Sequence, residues 1–100
     1  MVGAELQNLG YVEIHRGNID SAERCFTECE KLGSANDPYS AAMTNLNQAV
    51  IALARGNKNR SRTLLQRAQS ILKEAKIDAA PDDQFEINWL YGHLERNVRD

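Results

Sequence analysis

The chain has 100 residues, of which 42% are hydrophobic and 26% are charged, and this balance is typical of one small globular domain. The net charge of −2 gives the whole molecule no general attraction for nucleic acid, and no apolar run is long enough to span a bilayer. The N-terminus lacks the basic start and the apolar core of a secretion signal, so we expect a cytoplasmic protein.

Apolar residues recur at three- and four-residue intervals along the whole chain, and this spacing predicts helices rather than strands. Pro38 and Pro81 each follow a polar stretch, which predicts that helices begin there, with Asp37 as an N-cap. Gly33 is predicted to end the second helix. We therefore predict an all-α fold with one hairpin over about residues 3–33, a second over about 38–76 and a final helix over about 81–97.

The tripeptide RGN occurs twice, at residues 16–18 and 55–57, each time between two helical segments. Glycine can adopt the left-handed conformation that ends a helix, and the asparagine after it can cap the next helix. A turn this short makes the two helices antiparallel and places them in contact. Gly17 and Gly56 are 39 residues apart, and a helical hairpin that recurs at such a period predicts a stacked repeat.

The first hairpin has a large residue, then a leucine–glycine pair and a turn, then a small residue, an aromatic and a further small residue: Leu6, Leu9, Gly10, Gly17, Ala22, Phe26 and Cys29. In this pattern it resembles the tetratricopeptide repeat family. At the matching positions of the second hairpin stand Ala49, Ser61, Leu65 and Ala68. The long period is similar to that of variants in the sensor regions of bacterial regulators. The resemblance implies five helices stacked as a short right-handed superhelix.

Members of this family bind proteins or peptides on a concave surface lined by the first helix of each hairpin. The resemblance implies the same surface here, which we call the helix-A face: Gln7, Asn8, Tyr11, His15, Met43, Leu46, Asn47, Val50, Trp89, His93 and Arg96. Asn8 and Asn47 could hold an extended peptide through its backbone amides. The alternative for the aliphatic members, and for Ile14 beside them, is that they are only core residues.

The final helix is predicted to be apolar on two sides, and both sides need cover. One stripe can pack on the fourth helix: Ile87, Leu90, Tyr91, Leu94 and Val98. Phe85 and Trp89 lie roughly opposite Ile87, and we predict that they meet a second copy in a homodimer or receive the ligand. The alternative is that Trp89 folds back over the groove of its own chain.

The sequence contains no catalytic motif, so we expect a non-catalytic interaction module with no cofactor and no metal. Cys25 and Cys29 lie four residues apart on one helix, a spacing that rarely permits a disulfide, and they are predicted to be packing residues. Asp82 and Asp83 open the final helix, where carboxylates favour the positive end of the helix dipole.

The alternative function is nucleic-acid binding through the fourth helix. Residues 55–76 contain seven lysines and arginines and one acidic residue, a pattern that could contact phosphates. No aromatic residue lies among them to stack on bases. Acidic neighbours on the second helix, among them Glu23, Glu28 and Glu30, could equally accompany these basic side chains on an outer surface.

Overall fold

The computed structural model describes residues 2–33 and 36–98, with side chains described for residues 5–33 and 36–95. Within these residues the chain forms five helices and no strand, which confirms the predicted all-α fold with five helices. The helices are α1 (Val2–His15), α2 (Ile19–Leu32), α3 (Pro38–Ala54), α4 (Lys58–Ala75) and α5 (Pro81–Val98). The closest packing is within two pairs, α1 with α2 and α3 with α4.

The two RGN turns have the same backbone geometry. Gly17 and Gly56 have φ values of 84° and 86°, as the sequence predicts. In the first turn the amide of Asn18 donates to the carbonyl of Glu13 at 2.9 Å, and in the second the amide of Asn57 donates to Ala52 at 2.8 Å. These bonds close the end of each first helix and reverse the chain.

The predicted helix caps are confirmed in part. The Asp37 side chain accepts a hydrogen bond from the Tyr39 amide, and the Asn57 side chain accepts one from Arg60. The prediction is wrong for Asn18, whose side-chain amide donates to Glu13 Oε2 at 3.0 Å and so does not cap α2. Pro38 and Pro81 are the first residues of their helices, as predicted.

Small residues allow the helices of each hairpin to approach closely. The ring of Phe26 packs over Gly10 and meets the ring of Tyr11 edge-on, with centroids 5.6 Å apart. In the second hairpin Ser61 Oγ donates to the carbonyl of Ala49 at 2.8 Å, a bond from the side chain of one helix to the backbone of the other. Ala22 and Ala68, which the resemblance places at such contacts, are completely buried.

Helix α5 packs on α3 and α4 through its apolar stripe. Ile87, Leu90 and Leu94 are buried there, whereas Tyr91 is partly exposed and its hydroxyl donates to Gln69 on α4. The side chain of Val98, the last member of the predicted stripe, lies outside the described residues. The core therefore runs through both hairpins and continues under α5.

Two helical glycines offer a matched test of this packing. A Cβ atom at Gly10 would lie 2.7 Å from Phe26 Cδ1, whereas a Cβ at Gly92 would meet nothing within 4 Å. Because Phe26 is buried, we expect Gly10→Ala to lower the free energy of unfolding by about 1 kcal/mol or more. Gly92→Ala should raise it by about 0.5–1 kcal/mol, since alanine is the better helix former.

Urea denaturation of both variants and of the wild-type protein measures these differences. Equal stabilisation by the two substitutions would contradict the close approach of α1 and α2 at Gly10.

Candidate functional site

A buried carboxylate joins three helices at one end of the molecule. Asp83 on α5 accepts hydrogen bonds from Gln7 Nε2 at 2.6 Å and from the Tyr11 hydroxyl at 3.2 Å, both on α1. Its other oxygen accepts from the hydroxyl of Tyr39 on α3, which in turn accepts from the amide of Ala80 at 2.8 Å. We call these residues the Asp83 junction. From the sequence, Asp83 was expected only to interact favourably with the positive end of the α5 dipole, and these long-range hydrogen bonds were not predicted.

Burial sets the electrostatics of the Asp83 junction. It raises the pKa of Asp83, although the hydrogen bonds from Tyr39, Tyr11 and Gln7 act in the opposite direction. Burial also raises the pKa of Tyr39 to about 12, and it raises the pKa of Tyr11, with a further contribution from the charge of Asp83. Both tyrosines therefore remain hydrogen-bond donors at neutral pH.

A second contact between α1 and α5 lies two turns further along α1. His15 Nε2 and Glu86 Oε1 are 2.8 Å apart, and Glu86 is only 2% exposed. Glu86 Oε2 has no hydrogen-bond partner among the described residues. Burial raises the pKa of Glu86, while the hydrogen bond from His15 and the charge of His15 lower it.

Aromatic rings surround the outer side of this contact. The Trp89 ring lies between His15, at a centroid distance of 5.0 Å, and His93, at 4.5 Å. Trp89 is partly buried, which agrees with its folding back within its own chain. Phe85 lies 6.3 Å from His15 and is 62% exposed. The predicted self-association residues therefore differ: Trp89 already has neighbours, and Phe85 faces solvent.

Much of the predicted helix-A face is closed by these contacts between α1 and α5. Leu46 and Val50 have no exposed surface and Ile14 is buried, as the core alternative states. Asn8 is exposed and donates to Asp82 Oδ2 at 3.2 Å. The side chain of Arg96 lies outside the described residues. Four predicted residues meet at a different place, a cleft between the two hairpins: Gln7, Asn8, Met43 and Asn47.

The inter-hairpin cleft consists of two cavities along the line where α2 faces α3. The larger has a volume of about 740 Å³ and lies between the end of α2, the first half of α3, the middle of α1 and the start of α5. The smaller, of about 530 Å³, lies between α2 and the second half of α3 and extends as far as α4. Glu30 and Asn47 line both cavities and so lie between them.

Two hydrogen-bond acceptors between the two cavities have no donor among the described residues. Asn47 is 1% exposed, and its Oδ1 is buried without a hydrogen-bond partner. Glu30 is partly buried, burial raises the pKa of its carboxyl, and no described side chain forms an ion pair with it. A buried acceptor without a donor costs free energy, which a ligand with an N–H group would recover.

The sequence analysis selected Asn47 through the family resemblance but missed Glu30 as a site residue. One local signal was present: Glu30 lies in the last turn of α2, where the helix dipole disfavours a carboxylate. An acidic residue in that position does not stabilise the helix, so it indicates a different role, and the position of Glu30 in the cleft supplies one.

The predicted basic surface of α4 is partly neutralised. Arg55, just after α3, forms ion pairs with Glu23 at 3.0 Å and Asp20 at 3.3 Å on α2. Glu28 pairs instead with Lys31 on its own helix, and Glu30 faces the cleft. Lys58, Arg60, Arg67, Lys73 and Lys76 are exposed.

Neither Cys25 nor Cys29 is part of a disulfide bond. The Cys29 Sγ lies 3.7 Å from Gln7 Oε1, and burial raises the pKa of this thiol. Among the residues that the structure describes, no group of three or more histidines, cysteines or carboxylates is placed to hold a metal ion. No helix within the same residues has both the length and the apolar character to cross a membrane.

Comparison of the chain with protein-family models, with curated proteins and with solved structures finds no match.

The buried Glu86 carboxyl predicts a pH dependence of stability. Its pKa is raised in the folded protein above the ordinary value of 4.5, so its contribution to stability is complete below that pH and is lost as the pH rises through the folded pKa. We expect Glu86→Gln, which resembles the protonated acid, to match the wild-type free energy of unfolding at about pH 4 and to exceed it at about pH 7.

Urea denaturation across this pH range provides the measurement, and Glu74→Gln on the exposed surface of α4 is the control. If the wild-type protein instead gained stability relative to Glu86→Gln as the pH rises, the raised pKa of Glu86 would be contradicted, because the charged carboxylate would then be the favoured buried form.

Proposed function

We propose that this protein is a non-catalytic interaction module that binds an extended peptide segment of a partner protein in the inter-hairpin cleft. The observation that carries the proposal is Asn47 Oδ1, a buried acceptor without a donor among the described residues, on a side chain that belongs to the lining of both cavities. An extended peptide presents backbone N–H groups along its length, and one of them would supply the missing donor. The partner of the cleft would be a protein, and the site would have no cofactor.

The walls of the cleft support a peptide rather than a small polar metabolite. Phe26 and Ile51 line one cavity and Met43 lines the other, so apolar side chains of a ligand would find contacts in both. The larger cavity has a volume in the range that holds drug-sized or side-chain-sized groups. Two neighbouring cavities with a hydrogen-bonding residue between them suit a chain with side chains at intervals along its backbone.

The partner would bind in the inter-hairpin cleft and not along the helix-A face that the sequence predicts. Gln7, Asn8, Met43 and Asn47 remain in the contact surface, while Leu46 and Val50 serve the core. What supports membership of the tetratricopeptide repeat family is the 39-residue recurrence of one turn geometry together with small residues at the helix contacts. Bonds between α1 and α5 distinguish this arrangement from an open superhelical groove.

Two further predictions remain alongside this proposal. Phe85 is exposed beside Trp89, and a homodimer through these residues would appear as concentration-dependent sedimentation. The exposed basic residues of α4 keep nucleic acid as the alternative ligand, and steeply salt-dependent binding to mixed DNA and RNA would favour it. Two cysteines outside any disulfide bond accord with a reducing, cytoplasmic location.

Asn47→Leu separates binding from stability. Leucine keeps the number and branching of the side-chain heavy atoms, its extra volume can extend into the adjoining cavity, and it removes a buried acceptor that has no described partner. We therefore expect the melting temperature to stay equal or to rise. Binding of capped peptides, selected from a random displayed library on the wild-type protein, should weaken about tenfold because the backbone hydrogen bond is lost.

Asn88→Leu, at an exposed position of α5, is the matched control and should bind these peptides normally. Isothermal titration calorimetry and thermal denaturation give the two quantities. A large fall in melting temperature, or unchanged peptide binding, in Asn47→Leu would contradict the role given to Asn47.

A further inference from the structure

The larger cavity of the inter-hairpin cleft is acidic. Four carboxylates line it, on α2, just before α3 and on the first turn of α5: Glu30, Asp37, Asp82 and Asp83. No lysine, arginine or histidine is among the described residues that line it. The cavity therefore has a negative potential that favours cationic ligands and disfavours phosphates and acidic peptides.

Three of the four carboxylates already have hydrogen-bond donors within the chain. Asp83 accepts from Gln7, Tyr11 and Tyr39, and Asp82 accepts from Asn8. Asp37 accepts from the Tyr39 amide at 3.2 Å and from Ser40 Oγ at 2.9 Å. Glu30 has no such partner among the described side chains, so it is the carboxylate left for a ligand.

Asn47 is an independent sign of a ligand at the same place. Its Oδ1 is buried and has no partner among the described residues, and the residue lines both cavities, as Glu30 does. A charge on Glu30 is costly without a cation beside it, since burial already raises the pKa of that carboxyl. A ligand that carries both an N–H group and a positive charge would satisfy both acceptors together.

We propose that the segment bound in the cleft is basic, with a lysine or arginine side chain that pairs with Glu30 while its backbone donates to Asn47. This inference rests on the proposed function and names the chemistry of its ligand. A bare metal ion fits less well, because the carboxylates other than Glu30 are held by their own donors. A basic side chain also has an alkyl stem, which Met43 and the other apolar residues of the cavity wall can cover.

The test is a double-mutant cycle between the carboxylate of Glu30 and one basic residue of the bound peptide. Capped peptides are selected from a random library on the full-length protein, and each basic residue of a selected peptide is replaced in turn by norleucine, which keeps the stem and removes the charge. We expect selected peptides to be rich in lysine or arginine. Norleucine at one position should weaken binding to the wild-type protein about tenfold, and Glu30→Gln should weaken binding of the original peptide by a similar factor.

The decisive result is the coupling between the change in the peptide and the change in the protein. If the basic side chain pairs with Glu30, the norleucine peptide should bind the wild-type protein and Glu30→Gln with equal affinity. Glu74→Gln, which removes the same charge from the exposed surface of α4, should bind the original peptide as the wild-type protein does apart from a small long-range effect. The norleucine comparison is made on the wild-type protein, so it tests the role of the cation even if Glu30→Gln proves unstable.

Three results would overturn the inference in distinguishable ways. Selected peptides without basic residues, or basic peptides that show no coupling to Glu30, would contradict the cation site and leave peptide binding intact. Displacement of the peptide by an equal concentration of spermidine would assign the acidic cavity to free polyamines instead. No saturable binding of any peptide would contradict the proposed function itself, and the inference with it.

Discussion

The arrangement of the five helices depends on one buried carboxylate, that of Asp83. It lies on the first turns of α5 and accepts hydrogen bonds from α1 and α3, so one side chain joins both hairpins to the final helix. Taking a carboxylate out of water is costly, and the donors that converge on Asp83 offset part of that cost, since burial still leaves its pKa raised. The three hydrogen bonds therefore fix the positions of α1 and α3 relative to α5 rather than adding their full strength to the stability of the domain.

The Asp83 junction also determines which surface remains open. Together with the contact between His15 and Glu86, it brings α5 against α1 and closes the helix-A face over α3. Helix α2 packs on α3, and the inter-hairpin cleft lies along the line of this contact. The acceptors of the closed face have donors within the chain, apart from Glu86 Oε2, whereas Asn47 and Glu30 in the cleft have none among the described residues.

Local patterns in the sequence predict most of the fold. The spacing of apolar residues gives five helices, and the repeated RGN gives two turns with positive φ at Gly17 and Gly56. A third left-handed residue, Lys76, ends α4 without glycine, and no sequence signal indicates it. Helix and turn preferences act over a few residues, which is why a single sequence is enough to reveal them.

The site is less accessible to sequence reasoning because its contacts join distant residues. Gln7 and Asp83 are 76 positions apart, and nothing in the periodicity of either helix indicates that they meet. Gln7 and Tyr11 were therefore expected to face a partner, whereas they bind Asp83 within the chain. Asn47 was found because the repeat register places it, but its lack of a donor depends on which side chains surround it in the folded chain, which only the structure gives.

A partner peptide bound between the hairpins, and not on the face that α5 closes, would leave a distinct pattern in the amide NMR spectra of the isotopically labelled protein. When the protein is titrated with a selected peptide, we expect the side-chain amide signals of Asn47 and the backbone signal of Gly33 to shift, while the indole N–H signal of Trp89 does not. Shifts at Trp89 and His15 with an unchanged Asn47 side chain would contradict binding between the hairpins.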